Sequence, residues 1–159
     1  MNTKILAPEL SVQTWINSTA PLSLKNMKGK AVAIFAFQML CPACVQYSIP
    51  QANKVYELFS KNDLVVIGLH TVFEHHAAMQ EVSLRAFIPE NRIHFPVGID
   101  SPSDDSSPLP KTMGRYQMQG TPTLLLIDRE GNLRKHQFGH EQDLILGAEL
   151  ATLIAEVGS

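Results

Sequence analysis

The chain has 159 residues, with 13 basic and 15 acidic side chains and a net charge of −2, which suits one domain with a real hydrophobic core. The near-neutral balance and the lack of a basic block argue against nucleic acid or an anionic membrane as partner. No apolar run approaches the length of a membrane span, and two cysteines are too few to make a disulfide scaffold.

The opening residues, Met1 to Pro8, lack the apolar core of a secretory leader. The expectation is therefore a cytoplasmic protein, with a periplasmic or other extracytoplasmic one as the alternative if a leader was removed. The first thirty residues read as irregular or short-stranded, with Ser11–Ile16 and Leu22–Leu24 the best strand candidates. Ala31–Phe37 is an unbroken apolar run, as expected of a strand covered on both faces. Cys41-Pro42-Ala43-Cys44 follows. Val45, Ile49, Ala52, Tyr56 and Phe59 then recur at helical spacing. Pro50 should kink that helix, and Lys61-Asn62-Asp63 ends it.

Leu64–Leu69 reads as a second buried strand. A helix is expected from about Ala77 to Ile88, stopping before Pro89, and Phe95–Ile99 offers a short strand. Asp100 to Pro110 is rich in Ser, Pro and Asp and should be an exposed loop inserted within the domain. A short helix at Lys111–Tyr116 leads to Gly120. Thr123–Ile127, the turn from Asp128 to Asn132, and Leu133–Phe138 make a β-hairpin. The last segment is helical, with Leu146, Leu150, Leu153 and Val157 as its apolar stripe. This order gives an α/β sheet with an antiparallel edge, in one domain over residues 1–159 with its core at about 28–157.

The cysteine pair is the feature that carries chemistry. Cys41 opens a helix straight after a buried strand. A thiol there faces unpaired backbone N–H groups and the positive end of the helix dipole, and both stabilise the reactive thiolate. A second thiol one turn along can attack a mixed disulfide formed at the first. The bland alternatives are a structural pair, inert thiols or half of a metal site. A structural zinc needs four ligands, so it would have to recruit His70, His75 or His76. His75 and His76 are adjacent and would point apart on a regular element. No metal or organic cofactor is expected. His94, His136 and His140 read as ordinary surface or turn positions. Met39, Met113, Tyr116 and Met118 either line a substrate groove or belong to the core, and core is the favoured reading. Pro42 and Ala43 add no charge between the thiols, which places the couple toward the reducing end.

Cys41-Pro42-Ala43-Cys44 after a buried strand, Gly120-Thr121-Pro122-Thr123 leading into another, and the stretch from Leu125 to Leu133 together resemble the thioredoxin fold. The nearer likeness is to TlpA-type thiol–disulfide oxidoreductases and peroxiredoxin-related redoxins, and it covers about Lys28 to Glu156. The resemblance implies a three-layer α/β/α sandwich with a mixed sheet, an N-terminal extension and a C-terminal helix. It implies Cys41 as attacking thiol, Cys44 as resolving thiol and Pro122 as a cis-proline facing them. Pro42, Ala43, Gly120, Thr121 and Pro122 would then border the substrate, with the Thr121 backbone free to pair with an extended segment. The implied partners are a disulfide-containing protein or small molecule and an external thiol reductant, acting on a monomer or weak homodimer.

There are departures from that pattern. Leu40 stands where a Trp usually precedes the first Cys. Phe35 stands where thioredoxin has a buried Asp, so Glu74 is the candidate for proton transfer; the bland reading of Glu74 is a solvated loop carboxylate. The peroxidase signature needs a Pro and a hydroxyl residue before the reactive Cys, and here those places hold Ile34 and Gln38. Two rival readings remain open from the sequence. One is a thiol peroxidase, with Cys41 oxidised to a sulfenic acid. The other is a non-enzymatic dithiol switch acting on a binding surface around the Asp100–Pro110 loop.

Overall fold

A computed structural model describes residues 3–156. Six strands form one mixed sheet: β1 (Val12–Ile16), β2 (Ala31–Phe37), β3 (Leu64–His70), β4 (Val97–Asp100), β5 (Thr123–Ile127) and β6 (Leu133–Phe138). Their spatial order is β1-β4-β3-β2-β5-β6. β2, β3 and β4 run parallel, while β1, β5 and β6 pair antiparallel with their neighbours.

The helices are α1 (Ile49–Leu58), α2 (Glu81–Glu90), α3 (Lys111–Tyr116) and α4 (Asp143–Ala155). They cover both faces of the sheet, which is why all seven residues of β2 are buried and apolar. Side chains alternate across a strand. Ala31, Ala33, Phe35 and Phe37 pack with Ile49 and Ala52 of α1, Leu84 and Ile88 of α2, and Leu146, Leu150 and Leu153 of α4. Val32, Ile34 and Ala36 pack on the opposite face with Met113 and Tyr116 of α3 and with Ala7, Leu24 and Met27 of the N-terminal segment. The result is the expected three-layer α/β/α sandwich. Met39, Met113, Tyr116 and Met118 are all buried within these two clusters, so they are core rather than groove.

Several local expectations are corrected. Leu22–Leu24 is not a strand; it leads into a 3₁₀ turn at Lys25–Met27. The Glu9 carboxylate accepts the backbone N–H groups of Leu24 and Lys25, which takes them away from any ladder. The helix expected from Ala77 to Ile88 is a separate 3₁₀ turn, His76–Ala78, followed by α2 with Pro89 inside it. Pro89 removes only the one N–H that would reach back to the Arg85 carbonyl, and Ile88 before it is anchored in the core at 4% exposure. Phe95 precedes β4, which instead extends to Asp100.

The loop between Asp100 and Pro110 is exposed or half-buried throughout, as expected, and only these two end residues are buried. The Asp100 carboxylate accepts the backbone N–H groups of Thr112 and Met113 and the Thr71 hydroxyl. This pins the start of α3 to the sheet. Pro50 acts as a change of winding: Cys44–Ser48 forms a π-helical turn, with the Ile49 N–H donating to the Cys44 carbonyl, before α1 begins. An inserted residue of this kind accommodates the amide that proline lacks. Leu146, Leu150 and Leu153 are buried on α4 as expected; Val157 lies outside the described residues.

Candidate active site

Three parallel strands direct the C-terminal ends of β2, β3 and β4 to one edge of the sheet. β5 runs against β2, with Ala36 opposite Thr123, so β5 begins at the edge where β2 ends. That single antiparallel pairing brings Gly120–Thr123 beside Cys41–Cys44. Ligands and catalytic groups gather at such edges in open α/β sheets because the loops there are free of the ladder.

The turn after β2 is closed by the Cys41 N–H donating to the Gln38 carbonyl at 3.1 Å, and the Val45 N–H returns to the Cys41 carbonyl at 3.1 Å. Pro42 and Ala43 are helical and lie between them. Proline suits a first helical position, where its missing donor costs nothing. The Cys44 N–H donates to Cys41 Sγ at 3.3 Å, so the sulfur takes the place of a capping side chain. An N–H and a helix N-terminus both favour negative charge on that sulfur. Facing it, the Thr121 carbonyl accepts from the Cys41 thiol at 3.6 Å, a bond that favours the protonated form.

The two thiols differ in environment. Cys41 is half-buried, while Cys44 is fully buried, and neither is in a disulfide. Burial, followed by a hydrogen bond with Cys41, pushes the Cys44 thiol up to about 12. An accessible sulfur backed by an N–H is suited to attack, and a buried protonated one to wait behind it. The Thr121–Pro122 peptide is cis, as the resemblance implied. Gly120 is buried, and a Cβ there would lie 2.9 Å from the Phe138 ring.

The Redoxin family matches residues 3–150. The chain belongs to the Redoxin family. A crystal structure of a thioredoxin-like superfamily protein is 54% identical, with a TM-score of 0.94, covering 98% of this chain and 99% of that one. The structure of a thiol-disulfide isomerase from Corynebacterium glutamicum is 43% identical, with a TM-score of 0.90, covering 95% and 98%. The thiol-disulfide oxidoreductase ResA of Bacillus cereus is 26% identical over 120 residues, covering 76% of this chain. This redoxin spans 61% of the length of that ResA. The thioredoxin-like fold follows from these neighbours and from the sheet itself.

Pro42 is exposed, and Ala43 and Thr121 are half-buried. Glu74 is exposed on the segment after β3, and among the described residues no hydrogen bond joins it to either thiol. His75 and His76 are exposed too. Among the described residues no group of three or more His, Cys, Asp or Glu side chains is placed to hold a metal ion, and no helix is long and apolar enough to cross a membrane.

Two residues near the dithiol have roles that the sequence pattern does not assign. His70 ends β3 at 2% exposure, and its Nε2 accepts the Met39 N–H at 3.3 Å. Burial holds the imidazole low, at about 4, so it is neutral and its proton sits on Nδ1. Gln38 donates from Nε2 to the Thr121 hydroxyl at 3.1 Å and accepts the Phe73 N–H at 3.2 Å. The available signal was their polarity at the ends of two otherwise apolar strands, where a buried polar group must find partners.

Proposed function

We propose that this chain is a thiol–disulfide oxidoreductase that reduces disulfides of proteins or small molecules. The observation that carries the proposal is the unequal dithiol: Cys41 accessible and capped by the Cys44 N–H, Cys44 buried and protonated. The Cys41 thiolate attacks one sulfur of a substrate disulfide. The substrate's other sulfur leaves as a thiolate, and a mixed disulfide remains at Cys41. Cys44 then loses its proton and attacks Cys41 Sγ. The second substrate sulfur departs, and Cys41–Cys44 is left oxidised while the substrate is reduced by two electrons. An external dithiol reductant restores the starting state. Glu74 is proposed to take up the Cys44 proton through solvent, and the departing substrate thiolate is protonated from solvent in turn. The Thr121 backbone, bordered by Gly120 and Pro122, is proposed to pair with the substrate, with Pro42 and Ala43 flanking the sulfur.

A peroxidase reading has no support in the surroundings of Cys41. The position three residues before it carries an amide already committed to Thr121 and Phe73, not a free hydroxyl. The ResA and isomerase relatives support the disulfide chemistry. A reducing couple fits action in a reducing compartment, and the reduction potential is the measurement that bears on location.

The test is mechanism-based trapping. Cys44→Ser retains the attacking thiol and loses the resolving one, so it should accumulate mixed disulfides with a substrate peptide that survive non-reducing electrophoresis. Cys41→Ser should accumulate none. Equal trapping by both variants overturns the assignment of roles.

A further inference from the structure

We infer that Gln38 is a positioning residue that holds the Thr121 carbonyl against Cys41 and so sets the redox poise of the dithiol. This rests on the reading of Cys41 and Cys44 as a reversible couple. Gln38 is the first residue beyond β2, and it is buried at 2% exposure. Its three polar groups reach three different segments. The side-chain Nε2 donates to Thr121 Oγ1 at 3.1 Å, and Oε1 accepts the Phe73 N–H at 3.2 Å. Its backbone carbonyl accepts the Cys41 N–H at 3.1 Å. One residue therefore ties the dithiol turn, the loop before β5 and the segment after β3.

The consequence follows from what the tied atoms do. Cys41 Sγ has two opposed polar neighbours. The Cys44 N–H at 3.3 Å stabilises a thiolate, while the Thr121 carbonyl at 3.6 Å accepts from a thiol and repels a thiolate. The first is fixed by the helix itself. The second belongs to a half-buried loop residue whose side chain is anchored by the Gln38 amide. With the amide removed, the Thr121 peptide is free to turn toward water, and the thiolate loses its opponent. A lower-titrating attacking thiol stabilises the reduced dithiol and makes the couple more oxidising. Gln38 thus keeps this couple reducing, although no acidic or basic group is involved.

The experiment equilibrates wild type, Gln38→Leu, Thr121→Val, the double variant and Thr121→Ser in glutathione redox buffers. The dithiol and disulfide fractions are read by mass after acid quench, and the Cys41 thiolate is titrated by its ultraviolet absorbance. Gln38→Leu should shift the equilibrium roughly threefold to tenfold toward the dithiol, or about 15–30 mV, which is the scale of one neutral hydrogen bond. Its Cys41 titration should move to lower pH. Thr121→Val should shift the same way, the double variant should add little to the larger single effect, and Thr121→Ser should stay close to wild type. A Gln38→Leu potential equal to wild type, or two single shifts that add in full, overturns the inference. If Gln38→Leu does not fold, an unchanged Thr121→Val potential overturns it instead. Failure of the wild type to form any reversible disulfide would overturn the couple itself, a result distinct from an unmoved potential in the variants.

Discussion

His70 makes stability depend on pH in a direction and amount that can be worked out. Its imidazole is 2% exposed, and burial lowers its titration from 6.5 to about 4. The unfolded chain, where the ring is solvated, takes up a proton before the folded one does. Stability contributed by the neutral ring is therefore intact above the unfolded value and is lost as pH falls through the window from 6.5 to about 4. The total linkage is about 3.4 kcal/mol, at about 1.36 kcal/mol for each pH unit that separates the two values. Between about pH 7.5 and about pH 5 the share lost is about 2 kcal/mol. Protonation would also put a charged donor against the Met39 N–H, in place of the acceptor that receives it.

The assay is urea denaturation of reduced wild type and of His70→Gln at those two pH values. Gln offers an oxygen of similar reach to the Met39 N–H but binds no proton. Carboxylates and other histidines act alike in both proteins, so they drop out of the comparison. Wild type should lose about 2 kcal/mol more than the variant over the interval. Equal losses would refute the reasoning, because they would mean that His70 titrates alike in folded and unfolded chains.

Two other outcomes follow from burial. With Cys44 pushed up to about 12, its thiolate fraction near pH 8 should be roughly a thousandfold below that of an ordinary thiol. Brief alkylation with iodoacetamide should therefore modify Cys41 alone, and peptide mapping that found both labelled at similar rates would contradict the asymmetry. Gly68→Ala should destabilise by about 1–3 kcal/mol in thermal or urea melts. Its Cβ would lie 2.8 Å from the Phe95 ring and 3.2 Å from the Phe37 ring, and both rings are fully buried. A neutral effect would show that this part of the core is looser than its contacts imply.

Local pattern carried much of this protein. Seven apolar residues from Ala31 to Phe37 are enough to demand cover on both faces, because no polar position offers a wet side. Thr123–Ile127 is legible for the same reason, and Leu133–Phe138 by its turn chemistry. A thiol pair at the start of a helical period is likewise a statement about a few consecutive residues, since helix ends expose their N–H groups wherever they occur. The effect of proline was less legible. Pro89 sits inside α2, because burial of its neighbour Ile88 outweighs a single lost donor near the end of a helix.

The tertiary structure alone decided the surroundings of the sulfur. Gln38 and Thr121 are 83 positions apart, and His70 and Met39 are 31 apart, so no window of sequence joins them. They meet because the spatial strand order, β1-β4-β3-β2-β5-β6, is not the chain order, and because antiparallel β5 starts where β2 ends. The inequality of the two cysteines has the same origin. In sequence they are alike and three residues apart, and only the packing of the helix onto the sheet buries one and leaves the other within reach of a substrate.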